Sequence, residues 1–189
     1  MQKKTVTNPL CQRLTREDPV LANENGKYQS RFIELVNRHQ NIVHKVCSIY
    51  AADADDQQDL LQEILYQLWR SYPSFQQKSQ FSTWMYRIAL NTAITNFRKA
   101  RRKPAHVPIN KTLENELRMS DHHSHIEQIE ILQQAIARLN PIDKAVIMLY
   151  LDELSYREMA EILDLSESNI RVKLNRIKNK LQEWAQQLQ

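Results

Sequence analysis

Residues 154–181 read LSYREMAEILDLSESNIRVKLNRIKNKL, and the order of caps and apolar steps in this stretch decides the C-terminal fold. Ser155 followed by Glu158 is a capping box, flanked by Leu154 and Met159 as a hydrophobic staple. The spacing predicts a helix over 156–163 with the small Ala160 in its middle, which lets a second helix cross closely. Asp164-Leu165-Ser166 is the turn, and Asp tolerates the left-handed backbone that glycine often supplies there. Ser166 then caps a last helix, with Leu165 and Ile170 as a second staple. Ile170, Leu174, Ile177, Leu181, Trp184 and Leu188 recur at steps of three and four and form its apolar stripe. Arg171, Lys173, Arg176, Lys178 and Lys180 fill the remaining surface.

Doubled caps, a small residue and a three-residue turn describe a helix-turn-helix better than a basic solvated helix on a bundle. Such a helix places N-terminal side chains at base edges and basic groups at phosphates. Ser168, Asn169, Arg171, Val172 and Lys173 are therefore the candidates near bases, Arg176, Lys178 and Lys180 those near phosphate, and the cap Ser166 belongs to the same DNA-binding set.

Upstream, Asn140-Pro141 reads as an N-cap followed by proline at the first helical position, opening a helix to about Leu151. Ile126, Ile129, Leu132, Ile136 and Leu139 keep helical period before it. Residues 104–125 are polar, contain Pro104 and Pro108, and read as a flexible linker. In the N-terminal half, Phe32, Leu35, Val36, Val43, Val46, Ile49 and Tyr50 predict a helix of about 20 residues from Ser30. A second helix, capped by Asp55 or Asp56, carries Leu60, Leu61, Ile64, Leu65, Leu68 and Trp69 and ends at Tyr72-Pro73. A loop over 74–80 leads to a third helix over 82–101.

Gly26 is the one glycine in 189 residues. Gly-rich phosphate loops and nucleophile elbows cannot be built after it, and the rest of the chain favours helix. The expected fold is all-α: two small helical domains joined by a linker, the C-terminal one a helix-turn-helix. The expected division is a leader over 1–27, a first domain over 28–103, the linker over 104–125 and a second domain over 126–189. No apolar run reaches a membrane span and the N-terminus lacks a signal-peptide core, which points to the cytoplasm. Cys11 and Cys47 are spaced neither for metal nor for a disulfide framework.

Charge is segregated. Residues 74–103 carry seven basic groups and no acidic one; residues 104–165 carry five basic and eleven acidic groups. Strong fields of opposite sign call for two kinds of partner, a polyanion and a basic surface. The acid-free stretch interleaves Phe75, Phe81, Trp84, Tyr86 and Phe97 with its cations, a pattern suited to unpaired nucleic acid. Helical spacing alone favours Trp84, Ile88 and Phe97 as core. Asp55, Asp56, Asp59 and Glu63 crowd the start of the second helix, where the helix dipole and a basic partner explain them equally well. His122, His123 and His125 lie in the polar linker and read as solvated; His39 and His44 read as structural, on or near a core face. No nucleophile–base pair stands out, so no catalytic residue, metal or cofactor is assigned, and the chain is not read as an enzyme.

Three segments in order carry a family resemblance. Asp56-Gln-Gln-Asp59-Leu60-Leu-Gln62-Glu63, continuing to Leu68-Trp69, resembles the polymerase-binding segment of sigma factors. Phe81-Ser-Thr-Trp84-Met-Tyr-Arg87-Ile-Ala-Leu-Asn91 resembles their promoter-melting helix, and Leu154 through Lys180 their C-terminal helix-turn-helix. With one linker and this length, the chain is identified as a member of the extracytoplasmic-function (ECF) group, which keeps the second and fourth sigma regions.

The resemblance implies that Asp56, Asp59, Leu60, Gln62 and Glu63 face the clamp helices of the largest subunit of core RNA polymerase. It implies that Phe75, Phe81, Trp84, Arg87, Asn91 and Arg98 handle the minus-ten element as it opens, and that residues 166–180 read the minus-thirty-five element as duplex. It further implies an anti-sigma factor, soluble or membrane-bound, and no small-molecule substrate. Leu90, Thr95-Asn96 and Asp164 depart from the family pattern, where a basic residue, an acidic residue and glycine are common. The rival reading is a helix-turn-helix regulator that does not act through sigma exchange; it would need a sensory module, and the N-terminal half offers an acidic helix and an acid-free aromatic one instead. Opposite charges also predict that in the free chain the acidic and basic faces partly mask each other until polymerase separates the modules.

Overall fold

Every segment assigned helical period folds as helix wherever the computed structural model describes it, over residues 22–75, 79–102, 132 and 134–188; no described residue lies in a strand. The elements are α1 (Ala22–Arg38), α2 (Gln40–Tyr50), α3 (Ala54–Ser71) running into a 3-10 turn (Tyr72–Ser74), α4 (Phe81–Arg102), α5 (Pro141–Leu151), α6 (Tyr156–Leu163) and α7 (Glu167–Leu188). Residues 134–137 are also helical. The expected linker and His122, His123 and His125, together with Cys11 and most of the expected leader, lie outside the described residues.

The chain divides into two units after Arg38. In the first, α1 begins at Ala22, eight residues ahead of Ser30, and buries Phe32 and Val36 on one side. The 20-residue helix expected from Ser30 is interrupted: His39 leaves helical geometry at φ −113°, ψ 14° and separates α1 from α2.

In the second unit α2, α3 and α4 pack on one another. Val43, Val46 and Cys47 of α2, Ile64 and Leu68 of α3, and Met85, Ala89, Leu90 and Ala93 of α4 are fully buried. Trp84, Ile88 and Phe97, expected in the core stripe of α4, are only half-buried and flank it. The alanines explain the register, since small side chains let α2 and α3 approach the α4 backbone. Leu90 therefore stands at a core position. Burial pushes the Cys47 thiol up to about 11, so it acts as a small neutral filler. His39 packs on the Phe81 ring at 5.8 Å, whereas His44 is exposed, contrary to its expected place near a core face.

A second cluster joins α5, α6 and α7 through Val146, Leu149, Met159, Ile162, Ile170, Leu174 and Ile177. Its ends are capped as the spacing predicts. Asn140 Oδ1 accepts from the Asp143 amide at 2.9 Å with Pro141 in the first turn. Ser155 and Glu158 make both bonds of the capping box, at 3.3 and 2.9 Å. Ser166 Oγ accepts from the Asn169 amide at 3.3 Å. At α3 the cap is Asp53, whose carboxylate accepts from the Asp56 amide at 2.8 Å. Asp55 and Asp56, expected to cap, sit inside the first turn, where the dipole favours them.

Both turns of this cluster need a left-handed residue, and neither has glycine: Glu153 lies at φ 59° and Asp164 at φ 54°. After α5, the Leu154 amide donates to the Leu149 carbonyl at 3.2 Å and the Glu153 amide to that of Tyr150 at 3.0 Å, a Schellman pair. A left-handed side chain costs about 1–2 kcal/mol. Glu153→Gly should therefore raise the unfolding free energy by about 0.5–1 kcal/mol in urea titration, net of the chain entropy that glycine adds.

Ser155→Ala should lower stability by about 1 kcal/mol. Hydrogen bonds from Ser155 hold the Glu158 carboxyl below its ordinary value. A depressed folded pKa stabilises above the unfolded pKa and is lost as pH falls through the folded one. The deficit of Ser155→Ala should therefore shrink on acidification through that range, measured by urea titrations at a series of pH values.

Candidate nucleic-acid interface

On α7 Ile170, Leu174, Ile177 and Leu181 are buried, which turns the opposite side outward: Ser166 in the preceding turn and Ser168, Asn169, Arg171, Val172, Arg176 and Lys178 are exposed. Val172 is 48% exposed although apolar, so an aliphatic surface lies among polar neighbours. The basic groups differ in how they are held. Arg171 lies 5.2 Å over the Tyr156 ring. Lys178 donates to Tyr150 Oη at 2.9 Å and sits 4.1 Å from that ring's centre. Lys173 is half-buried and paired with Asp143 at 3.3 Å. Arg176 and Lys180 have no intramolecular partner among the described residues. The sequence did not distinguish these cases, because Asp143, Tyr150 and Tyr156 read only as parts of preceding helices.

Where α3 hands over to α4, rings crowd together. Phe75 and Trp84 are 5.0 Å apart, Phe81 and Trp84 5.2 Å, and Phe75 and Phe81 5.6 Å, with Tyr72 against all three at 6.3–6.4 Å. Phe81 and Tyr72 are buried and support the cluster; Phe75 and Trp84 are half-buried and keep part of their faces open. Tilted and edge-on contacts of this kind fix ring orientation. Asn91 and Arg98 are exposed along α4. Arg87 is exposed too, but its guanidinium donates from Nη2 to the Glu161 carbonyl of α6 at 2.6 Å.

The acids of α3 occupy a different side. Asp56, Asp59, Gln62 and Glu63 line an open groove of about 1050 Å³ whose walls include Tyr66, Phe97 and Lys144. Asp56, Asp59 and Gln62 are exposed, and Glu63 accepts from Gln67 Nε2 at 2.8 Å. Leu60 is 7% exposed, so it supports this surface from beneath. Tyr66, 56% exposed on α3, was not anticipated.

Nor was a seam between α4 and the pair α5–α6. Asp152, in the turn after α5, accepts from Lys45 Nζ of α2 and from Tyr86 Oη of α4, the latter at 2.6 Å. Burial and this carboxylate push the Tyr86 hydroxyl well above its ordinary value, so it stays a donor. Tyr50 Oη donates to the Pro141 carbonyl at 2.5 Å, and buried Lys144 lies 5.5 Å over the Phe97 ring. Partners 66–107 residues apart leave no local pattern in sequence. Arg87 meets a backbone carbonyl at this seam rather than an acidic side chain, and the exposed side of α7 stays open.

Comparison with known proteins follows the same division. Residues 35–103 match the family profile of sigma-70 region 2, and residues 129–181 that of sigma-70 region 4. The ECF RNA polymerase sigma-E factor of Haemophilus influenzae is 30% identical, covering 78% of this chain and 86% of that protein. Its Escherichia coli counterpart is 31% identical over 82% and 88%. The Bacillus subtilis factor SigW is 26% identical over 78% and 85%.

Among solved structures, the sigma factor RpoE of Bartonella quintana, in complex with the anti-sigma factor NepR, matches with TM-score 0.61 at 21% identity. It covers 82% of this chain and 97% of that one. CnrH in complex with the cytosolic domain of CnrY matches with TM-score 0.59 at 20% identity, over 82% and 87%. Two ordered sigma-70 regions and relatives at 30% identity across most of their length make this chain a member of the ECF sigma factor family.

Proposed function

We propose that this chain binds core RNA polymerase and directs it to promoters whose minus-thirty-five element is read by α7 and whose minus-ten element is opened against α4. The carrying observation is the capped helix-turn-helix with an outward polar side on its last helix, in a chain with both sigma regions in order. Ser166, Ser168, Asn169, Arg171 and Val172 meet base edges; Val172 suits a thymine methyl group. Arg176, Lys178 and, more weakly because of Asp143, Lys173 meet phosphate. Phe75 and Trp84 offer ring faces to unpaired bases with Phe81 behind them, while Arg87, Asn91 and Arg98 follow the strand. Asp56, Asp59, Gln62 and Glu63, backed by Leu60, meet the basic clamp helices of the largest polymerase subunit.

We assign this function to region 2 over 28–103 and region 4 over 126–189, with a leader over 1–27, into whose last residues α1 already reaches from Ala22, and a linker over 104–125. The protein makes and breaks no bond, since catalysis belongs to polymerase, and it works in the cytoplasm. Among the described residues no helix is long and apolar enough to cross a membrane. An anti-sigma factor, of the kind bound by the Bartonella quintana neighbour, restrains it.

Runoff transcription on a genomic promoter library, with core polymerase from the source bacterium, tests the proposal. New transcripts sharing two spaced upstream motifs are expected; no new start site together with no capture of core polymerase would leave a conventional helix-turn-helix regulator. Asp56→Lys with Asp59→Lys should weaken core binding at least about tenfold by opposing like charges, read by fluorescence titration, with the fold intact by circular dichroism. Arg176→Ala should weaken promoter binding at all sequences and reduce the slope of log affinity against log salt by about one. Lys173→Ala should change the slope less.

A further inference from the structure

Two observations conflict if the described conformation is the working one. Arg87 of α4 contacts Glu161, and Ser168, at the start of the exposed side of α7, lies only seven positions after Glu161. Seven residues span at most about 25 Å of chain. On the sigma reading proposed above, these surfaces serve promoter elements about 25 base pairs apart, roughly 85 Å along duplex DNA. Both elements cannot be held while Arg87 rests on α6. The described conformation is therefore a closed state that must open before promoter DNA is engaged.

We propose that Asp152 is the clasp of this closed state, holding the helix-turn-helix module on region 2 so that Arg87 is withheld from DNA while the recognition side of α7 stays exposed. Asp152 is placed for this. Its carboxylate is 14% exposed and takes donors from two helices of the first module, Lys45 on α2 and Tyr86 on α4. Charge-assisted bonds to a largely covered carboxylate outweigh a solvated ion pair. The carboxylate is also fixed, because the turn that carries it is pinned by the Schellman bonds and the left-handed Glu153. The remaining seam contacts, Tyr50 to Pro141, Arg87 to Glu161 and Lys144 over Phe97, each involve one pair. Among the described residues, Asp152 is the one acceptor shown to take donors from two region 2 helices. None of the roles proposed for DNA or polymerase contact requires it.

The test measures distance in the full chain. Spin labels at His44→Cys on α2 and Gln182→Cys on α7, both exposed positions, go into a Cys11→Ser background; Cys47 is buried and unreactive. Electron–electron resonance on free wild-type-clasp protein should give one dominant short distance. Asp152→Ala should shift the closed-to-open ratio toward long distances by about tenfold, the scale expected when hydrogen bonds to a charged group are lost. Lys45→Met with Tyr86→Phe, which leaves the turn intact, should do the same and keeps the test open if Asp152→Ala does not fold.

In promoter-bound holoenzyme all versions should show the long distance, and Asp152→Ala should keep the runoff activity of the unmodified chain. A free protein already at long distance, or clasp variants indistinguishable from it, would overturn the clasp. Failure of runoff in the unmodified chain would instead overturn the sigma reading and leave the distance result standing.

Discussion

Helix α4 is packed on two sides, and the rest of the described structure hangs on that constraint. One side presents Met85, Ala89, Leu90 and Ala93 to α2 and α3, fully buried and apolar. Its other edge meets α5 and α6 through Tyr86, Arg87 and Phe97, and these contacts are polar or cationic. The two sides differ in strength. Truncating a buried Leu or Met costs about 2–5 kcal/mol, whereas a hydrogen bond contributes about 1 kcal/mol net. Each of these polar contacts is therefore individually weaker than a buried apolar side chain on the other side of α4.

The same economy of contacts prepares the exposed side of α7. Tyr156 and Tyr150 hold Arg171 and Lys178 from outside the helix, so two long cationic side chains are already restricted. A restricted side chain has less rotamer freedom to lose when it meets phosphate. Arg176, without such a partner, has more to lose and is also fully available. Lys173 is drawn inward by Asp143, which Asn140 also holds at 2.6 Å. Five basic residues on one helix thus fall into three physical classes.

How much of this was legible in the sequence depends on the range of the interaction that decides each feature. The capping box at Ser155, the Asn140-Pro141 start, the Ser166 cap and the left-handed Asp164 were all readable, because each is settled within four residues. The buried stripe of α7 was readable for the same reason, since a helical period is local. Helix breaks were less clear. His39 interrupts a continuous apolar period without proline or glycine, and Asp53 takes the cap in a run of acids where Asp55 and Asp56 had equal standing. The core stripe of α4 departs from the spacing of its large aromatics because the small Ala89 and Ala93, which carry little hydrophobic signal, do the packing. Asp152 was invisible as a partner of Lys45, since nothing local marks a contact across 107 residues.

Leu60 and Phe81 show why a motif is not yet a list of contacts. Both lie within segments that resemble family motifs, and both are buried here. A buried side chain can serve a surface only through what it supports: Leu60 sits beneath the acids of α3, and Phe81 braces Phe75 and Trp84. Removing either would cost stability first and binding as a consequence, whereas removing Asp59 or Arg98 changes surface charge with the core intact. The motif in such a chain is therefore two things at once, an outward polar set that meets the partner and an inward apolar set that fixes its spacing. Burial separates them, and a partner can touch only the outward set.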